Sequence, residues 1–282
     1  MVTGKTKNLA VIGNPIAHSL SPMMQNAALE KAGLDYMYIA IPVKEAELPM
    51  AVEGFRAMNF RGFNVTIPHK TAIMPCLDAI DADAQMIGAV NTVVNDDGKL
   101  TGYNTDIIGF LAGLTVNNFS VKDKQAVMLG AGGAARAIIW GLIKSGVSKI
   151  SIGVRNPAKV KPLADYFAKH LTIEVYDWHE EKFSAVLSTA DLLINTTPLG
   201  MYPQVDNMPP VDWNTVNPSA LVYDIIYTPA KTKFLAEAEQ HGHKIVNGEV
   251  MLAGQGAEAF RMWTGIEPDT EVMLKVLRNS LS

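Results

Sequence analysis

The sequence predicts an α/β fold in two domains, the second of them a doubly wound parallel sheet. Three observations carry the prediction. Strand-like and helix-like segments alternate along nearly the whole chain, the pattern of parallel strands covered by helices. A glycine-rich turn, "GAGGAA", joins an apolar strand to a helix in mid-chain. The 282 residues, 48% hydrophobic and 18% charged, are long for one compact domain and sufficient for two cores.

The first domain opens with a strand, "NLAVIG", and a loop, "NPIAHSL". "SPMMQNAALEKAG" reads as a helix with marked ends: Ser21 as cap, Pro22 in the first turn, Gly33 at the exit. "YMYIAIPV" is a second strand, and "KEAELPMAVEGFRAMN" a helix that Pro49 starts or kinks. "FRGFNVTIP" is a third strand, in which Asn64 and Thr66 share one face, Val65 and Ile67 point into the sheet packing, and Pro68 stops the ladder. "NTVVNDDGKLTGYN" is a hairpin turning at Asp96-Asp97-Gly98. "NTDIIGFLAGLTV" is a helix whose polar start carries a cap.

The polar stretch "FSVKDKQ" marks a boundary. After it come strand "AVMLG", helix "GAARAIIWGLIKSG", strand "SKISIGV" and helix "PAKVKPLADYFAKH", then strands "ADLLINT", "ALVYDII" and "HKIVNG". "VMLAGQGAEAFRMWTG" and "TEVMLKVLRNS" are closing helices. The expected division is 1–106 and 107–248, with helices from about 249 to 282 packing back on the first domain.

Composition excludes several classes. The formal net charge is −4 and no lysine–arginine stripe occurs, which argues against a nucleic-acid partner. Cys76 is the single cysteine, so no internal disulfide can form and a reducing, cytoplasmic setting is expected. No stretch has the form of a secretory signal or approaches the roughly 20 apolar residues of a membrane span. The six histidines are scattered and no metal site is read.

"VMLGAGGAARAI" fits G-x-G-x-x-A: a strand ends at Gly130, Ala131, Gly132, Gly133 and Ala134 follow, and a helix begins. The first glycine permits the tight turn and the second lets backbone approach a pyrophosphate. The small third residue lets the helix pack close, and the helix N-terminus favours the anion. A tight turn between packed elements is the bland alternative, but the strand–turn–helix–strand context favours a dinucleotide. The next strand carries no acid for a ribose hydroxyl. It ends instead at Arg155, with Lys159 one helical turn on, two cations that would clamp a 2′-phosphate and so prefer NADP.

Polar residues of the first domain gather at strand ends and helix entries. They are Ser19 and Ser21, then Asn64, Thr66 and Lys70, then Asn91, and finally Asn104, Thr105 and Asp106. Each alone has a structural reading as a cap or a turn residue. As a set they line the positions where α/β folds build clefts, and hydroxyls and amides in such number suit a small polyol acid. Lys70 and Asp106 are the obvious ionisable pair within the set.

"HSLSP", "NVTIPHK", "GAVNT", "GYNTD", "GAGGAAR", "NTTPLGM" and "QGAEAF" occur in this order. Together they resemble the shikimate dehydrogenase family, quinate/shikimate dehydrogenases included, from about Val11 to Trp263. The resemblance implies an N-terminal α/β substrate domain and a Rossmann-type NADP-binding domain with a cleft between them. It implies reversible NADPH-dependent reduction of 3-dehydroshikimate to shikimate, in aromatic amino-acid biosynthesis. Carried over by motif, Ser19 and Ser21 bind the substrate carboxylate, and Asn64, Thr66, Asn91 and Gln255 hold hydroxyls. Lys70 and Asp106 are the catalytic pair, Tyr227 lies near the substrate, and Thr196, Met201 and Gly248 lie near the nicotinamide. A lysine ammonium can polarise the ketone and donate a proton as hydride arrives, with an adjacent carboxylate orienting it.

His69 is read as structural rather than as a base, because neighbours on an extended segment point to opposite sides. Two positions depart from the family pattern. Its Asn-Arg-Thr reads Val154-Arg155-Asn156 here, which keeps the arginine, loses one polar partner and leaves NAD(H) open as a second cofactor beside NADP(H). Ile107 stands where glycine often follows "NTD". Quinate stays open as a second substrate, and a non-catalytic NADP-binding sensor is the rival from another class. The expected assembly is a monomer or homodimer.

Overall fold

The computed structural model describes residues 2–281. The chain divides into two compact units, Met1–Gly109 with Ala253–Ser282, and Phe110–Leu252. The order is β1 (Lys7–Gly13), α1 (Ser21–Lys31), β2 (Tyr36–Pro42), α2 (Leu48–Ala57), β3 (Gly62–Val65), α3 (His69–Ala72), β4 (Ala79–Ile80), α4 (Ala82–Ile87), β5 (Thr92–Asp96), β6 (Lys99–Tyr103) and α5 (Asp106–Thr115). It continues with β7 (Gln125–Leu129), α6 (Ala135–Lys144), β8 (Lys149–Val154), α7 (Pro157–Phe167), β9 (Ile173–Asp177), α8 (Glu181–Leu187), β10 (Leu192–Asn195), β11 (Leu221–Asp224), α9 (Lys233–Gln240), β12 (Lys244–Val246), α10 (Glu249–Thr264) and α11 (Thr270–Leu281).

In the first unit the described strands form one sheet, ordered β2-β1-β3-β5-β6-β4. β1 pairs in parallel with β2 and β3, whereas β3–β5 and β5–β6 are antiparallel. This first sheet is therefore mixed, parallel at β2-β1-β3 and antiparallel through β5 and β6. The expected hairpin reverses the chain, with Asp97 at φ 51° and Gly98 at φ 91°, two left-handed residues in a two-residue turn. The resulting register sets Asn64 opposite Thr92, and Thr92 opposite Tyr103.

Two local expectations are corrected. Ser21 is the first residue of α1 and makes no side-chain cap; Leu20 holds the cap position. The Ser19 hydroxyl accepts from the Ser21 N–H at 3.3 Å, and this local turn lets the chain enter the helix one residue early. The third strand ends at Val65, so Thr66 lies beyond it and Ile67 points outward at 69% exposure rather than into the packing. After Thr66 donates to the Ile12 carbonyl (2.9 Å), the His69 N–H bonds the Thr66 carbonyl (2.9 Å) and the chain turns into α3.

The core of this unit centres on Phe55, which stacks on Phe63 (4.5 Å between centroids) and meets Phe60 edge-on (4.8 Å). Trp263, 1% exposed at the end of α10, donates to the Val93 carbonyl (2.9 Å) and lies over Gly62, where a Cβ would overlap its indole. Arg61 ties the same helix end to β5 by donating to the Trp263 carbonyl (2.9 Å) and the Asn95 carbonyl (2.7 Å).

In the second unit the described strands are all parallel, ordered β12-β11-β10-β7-β8-β9. That is the doubly wound order, and the strand sequence reverses direction between β7 and β10. β9, α8 and α9 lie here and β4, α3 and α4 in the first unit, none of them read from the sequence. β9 is an edge strand, and the three first-unit elements span at most six residues, too few to show a period.

Candidate active site

β3 and β5 bring the first cluster together. Lys70 stands in α3, and its backbone carbonyl accepts from the Val90 N–H (2.8 Å), which holds that turn against the segment leading into β5. Asp106 opens α5, where Asn104 Oδ1 accepts its N–H (3.0 Å) and Asn104 Nδ2 donates to the Ala89 carbonyl (3.0 Å). Lys70 Nζ reaches Asp106 Oδ2 at 2.6 Å. The Asp106 side chain is 10% exposed and that of Lys70 22%, so the pair is largely withdrawn from water.

Two amides complete the cluster. Asn91 Nδ2 donates to Asp106 Oδ1 (2.8 Å), while Asn91 Oδ1 accepts from the Thr105 N–H (2.8 Å). Asn64 Nδ2 donates to the Asn91 carbonyl (3.1 Å) and to Thr92 Oγ1 (3.0 Å), and Asn64 Oδ1 accepts from the Tyr38 hydroxyl (2.7 Å). Tyr38 is buried, and desolvation holds its phenol well above the ordinary value of 10, opposed by a hydrogen bond with Ser21. Ser21 bonds back to Ser19 through its N–H, and neither serine has a hydrogen bond to the Asn64 or Asn91 amides among the described residues.

Thr66 shares no hydrogen bond with the cluster among the described residues; a Cβ on Gly13 would strike its methyl group. Gln255 is on α10, beside Gly256, whose carbonyl accepts from Gln25 Nε2 (2.8 Å). His69 is 0% exposed and its Nε2 donates to the Val43 carbonyl (2.7 Å). That side chain anchors α3 from behind, in keeping with its structural reading.

In the second unit, Gly130, Ala131, Gly132, Arg155 and Lys159 line one cavity of about 520 Å³. Gly130 has φ 89°, a conformation suited to glycine, and a Cβ there would overlap the Thr197 side chain. Gly133 and Ala134 precede α6, which begins at Ala135. Arg155 and Lys159 form no ion pair among the described residues, and no carboxylate lines the cavity, so an anion there meets two exposed cations. Asn156 Oδ1 caps α7 by accepting the Lys159 N–H (3.3 Å), which accounts for the polar residue at this departure from the family pattern. The glycine cradle and the paired cations fit a dinucleotide carrying a 2′-phosphate.

Thr196, Tyr227 and Gly248 stand beside a frame around Asp224, a residue outside the expected set. Asp224 is 0% exposed and accepts from Thr232 Oγ1 (2.6 Å), the Ile226 N–H (3.0 Å) and Asn195 Nδ2 (3.1 Å). Burial pushes its carboxyl up to about 6 against these three donors. Asn195 Oδ1 fixes Thr197, and Thr196 Oγ1 donates to the Leu129 carbonyl (3.0 Å). The Gly248 N–H reaches the Ile226 carbonyl (2.9 Å), and Tyr227 follows, its phenol raised by burial. Met201 is exposed. The available signal for Asp224 was a carboxylate closing an apolar strand, "LVYD".

Three family models match the chain. The shikimate dehydrogenase substrate binding domain matches 11–93, shikimate / quinate 5-dehydrogenase 113–201, and the shikimate 5'-dehydrogenase C-terminal domain 248–278. The chain is 44% identical over 283 residues to a shikimate dehydrogenase (NADP(+)) of Moorella thermoacetica, covering 99% of this chain and 95% of that protein. It is similar to a shikimate dehydrogenase solved in complex with NADP+ (TM-score 0.94, 42% identity, 100% of this chain and 98% of the other). It is similar, too, to a shikimate 5-dehydrogenase of Listeria monocytogenes solved with shikimate and NAD (TM-score 0.93, 38% identity, 98% of each chain). With its motifs in register on this fold and relatives matched end to end, the chain belongs to the shikimate dehydrogenase family.

Proposed function

We propose that this chain catalyses the reversible NADPH-dependent reduction of 3-dehydroshikimate to shikimate. The observation that carries the reading is the 2.6 Å Lys70–Asp106 pair set among the Asn64 and Asn91 amides. Bound NADPH supplies the hydride. Lys70 stands as the proton donor: its Nζ gives a proton to the ketone oxygen as that oxygen gains negative charge, and accepts it back in the reverse direction. Asp106 orients the ammonium through Oδ2, and Asn91 keeps Asp106 turned by holding Oδ1.

Ser19 and Ser21 would take the substrate carboxylate, Asn64, Thr66, Asn91 and Gln255 its hydroxyls, and Tyr227 would lie near them. Gly130, Ala131, Gly132, Gly133 and Ala134 would cradle the pyrophosphate. Arg155 and Lys159 would take the 2′-phosphate, and Thr196, Met201 and Gly248 would border the nicotinamide. The two exposed cations favour NADP(H), with NAD(H) as the weaker cofactor. The reading includes a cytoplasmic setting, supported by the single cysteine, and a monomer or homodimer. No helix of the described residues is long and apolar enough to cross a membrane.

The test is a matrix of shikimate and quinate oxidation with NADP and NAD. Shikimate with NADP is expected to turn over fastest. Quinate turnover equal to that of shikimate would defeat the narrow assignment, and folded protein inactive with every pair would leave a nucleotide-binding sensor.

A further inference from the structure

We propose that Thr92 is a positioning residue of this site. Its hydroxyl fastens the Asn64 and Asn91 amides together and so keeps Asp106 turned toward Lys70. The inference rests on the function proposed above. Thr92 is 0% exposed, so its hydroxyl can bond only to protein groups or to buried water. Each amide has its orientation set by a backbone group. Asn64 faces the Asn91 carbonyl, an acceptor, so the atom presented there must be Nδ2. Asn91 faces the Thr105 N–H, a donor, so the atom presented there must be Oδ1.

Thr92 is the adaptor between these opposed polarities. Its Oγ1 accepts from Asn64 Nδ2 (3.0 Å), and its single proton goes to Asn91 Oδ1 (3.0 Å) or Thr105 Oγ1 (3.2 Å). Both Asn64 amide hydrogens are then used, so Asn64 can meet a ligand only as an acceptor through Oδ1, which already holds the Tyr38 hydroxyl. Asn91 keeps one N–H for a ligand after bonding Asp106. Opposed roles at neighbouring amides give a polyol two distinguishable contacts, one that it donates to and one that it accepts from.

Valine has the shape of threonine without the hydroxyl and suits a strand equally well. If Thr92 only fills space, Thr92→Val is silent. If it positions the amides, Thr92→Val lowers kcat for 3-dehydroshikimate roughly 10- to 100-fold, as small misplacements of catalytic groups do. KM for NADPH is unchanged, and Thr92→Ser recovers most of the rate. A second readout needs no substrate: exchange of the Asn64 side-chain amide protons, followed by NMR, is faster in Thr92→Val than in wild type or Thr92→Ser. Wild-type kcat in the valine variant, equal losses in valine and serine variants, or identical exchange in all three would overturn the proposal. A wild type inactive on 3-dehydroshikimate defeats the functional reading, and the exchange comparison still decides the role of Thr92. Should Thr92→Val not fold, Thr92→Ala replaces it against Thr92→Ser with the same outcomes.

Discussion

Asn91 donates from Nδ2 to Oδ1 of Asp106 over 2.8 Å, so the carboxylate is held on both oxygens, by an amide on one side and the Lys70 ammonium on the other. A charged group with both oxygens engaged in a nearly dry setting has little freedom to swing, and its partner ammonium inherits that orientation. The residue expected only to hold a substrate hydroxyl is therefore also the one that aims the carboxylate.

Lys70→Ala removes the ammonium and leaves Asp106 bonded to Asn91. The kcat for 3-dehydroshikimate reduction is expected to fall roughly 10²- to 10⁴-fold, the range for a positioned acid or base. NADPH affinity, followed by fluorescence titration, is expected to hold, because the nucleotide cavity is lined wholly by residues of the other unit. A near-normal kcat would mean that another group moves the proton.

Arg155→Ala tests the cation pair. A hydrogen bond to a charged group contributes about 1.5–3 kcal/mol, so NADPH should bind roughly 10- to 100-fold more weakly while NADH is almost untouched. KM values for both cofactors decide it. An equal loss for the two would remove the 2′-phosphate role.

Asp224 gives a pH signature. Its folded-state carboxyl, raised by burial to about 6 from 3.8, contributes stability that is fully present below 3.8 and is lost as pH rises through 6. A rise of about two pH units is worth at most about 3 kcal/mol. Asp224→Asn cannot ionise, so its stability relative to wild type should improve as pH goes from 4 to 7. Urea unfolding of both proteins across that range checks the sign; a difference independent of pH would show that Asp224 does not titrate in the window.

His69 shows how a local rule can reach the correct role through the wrong geometry. Alternation on an extended segment argued that it points away from Lys70. The segment is a helical turn, and the imidazole points away because the Val43 carbonyl holds it. Ser21 shows the opposite case, where the residue type suited a cap and the chain entered the helix early because Ser19 had already taken the free N–H.

Local chemistry written in the chain was enough for the Gly130 turn, the Asp97–Gly98 hairpin, the helix of α5 and the cations after β8, because each depends on neighbours within a few residues. Lys70 and Asp106 stand 36 residues apart, and their pairing was legible only through the ordered motifs that resemble the family. The roles of Thr92, Tyr38 and Asp224 were out of reach. A buried hydroxyl or carboxylate is defined by the partners that satisfy it, and those partners arrive across strands and loops. The antiparallel register that sets Asn64 against Thr92, and the doubly wound order that sets Asn195 beside Asp224, are properties of packed sheets. A shift of one residue in either would turn these side chains to the other face, so only the folded chain decides which polar groups meet.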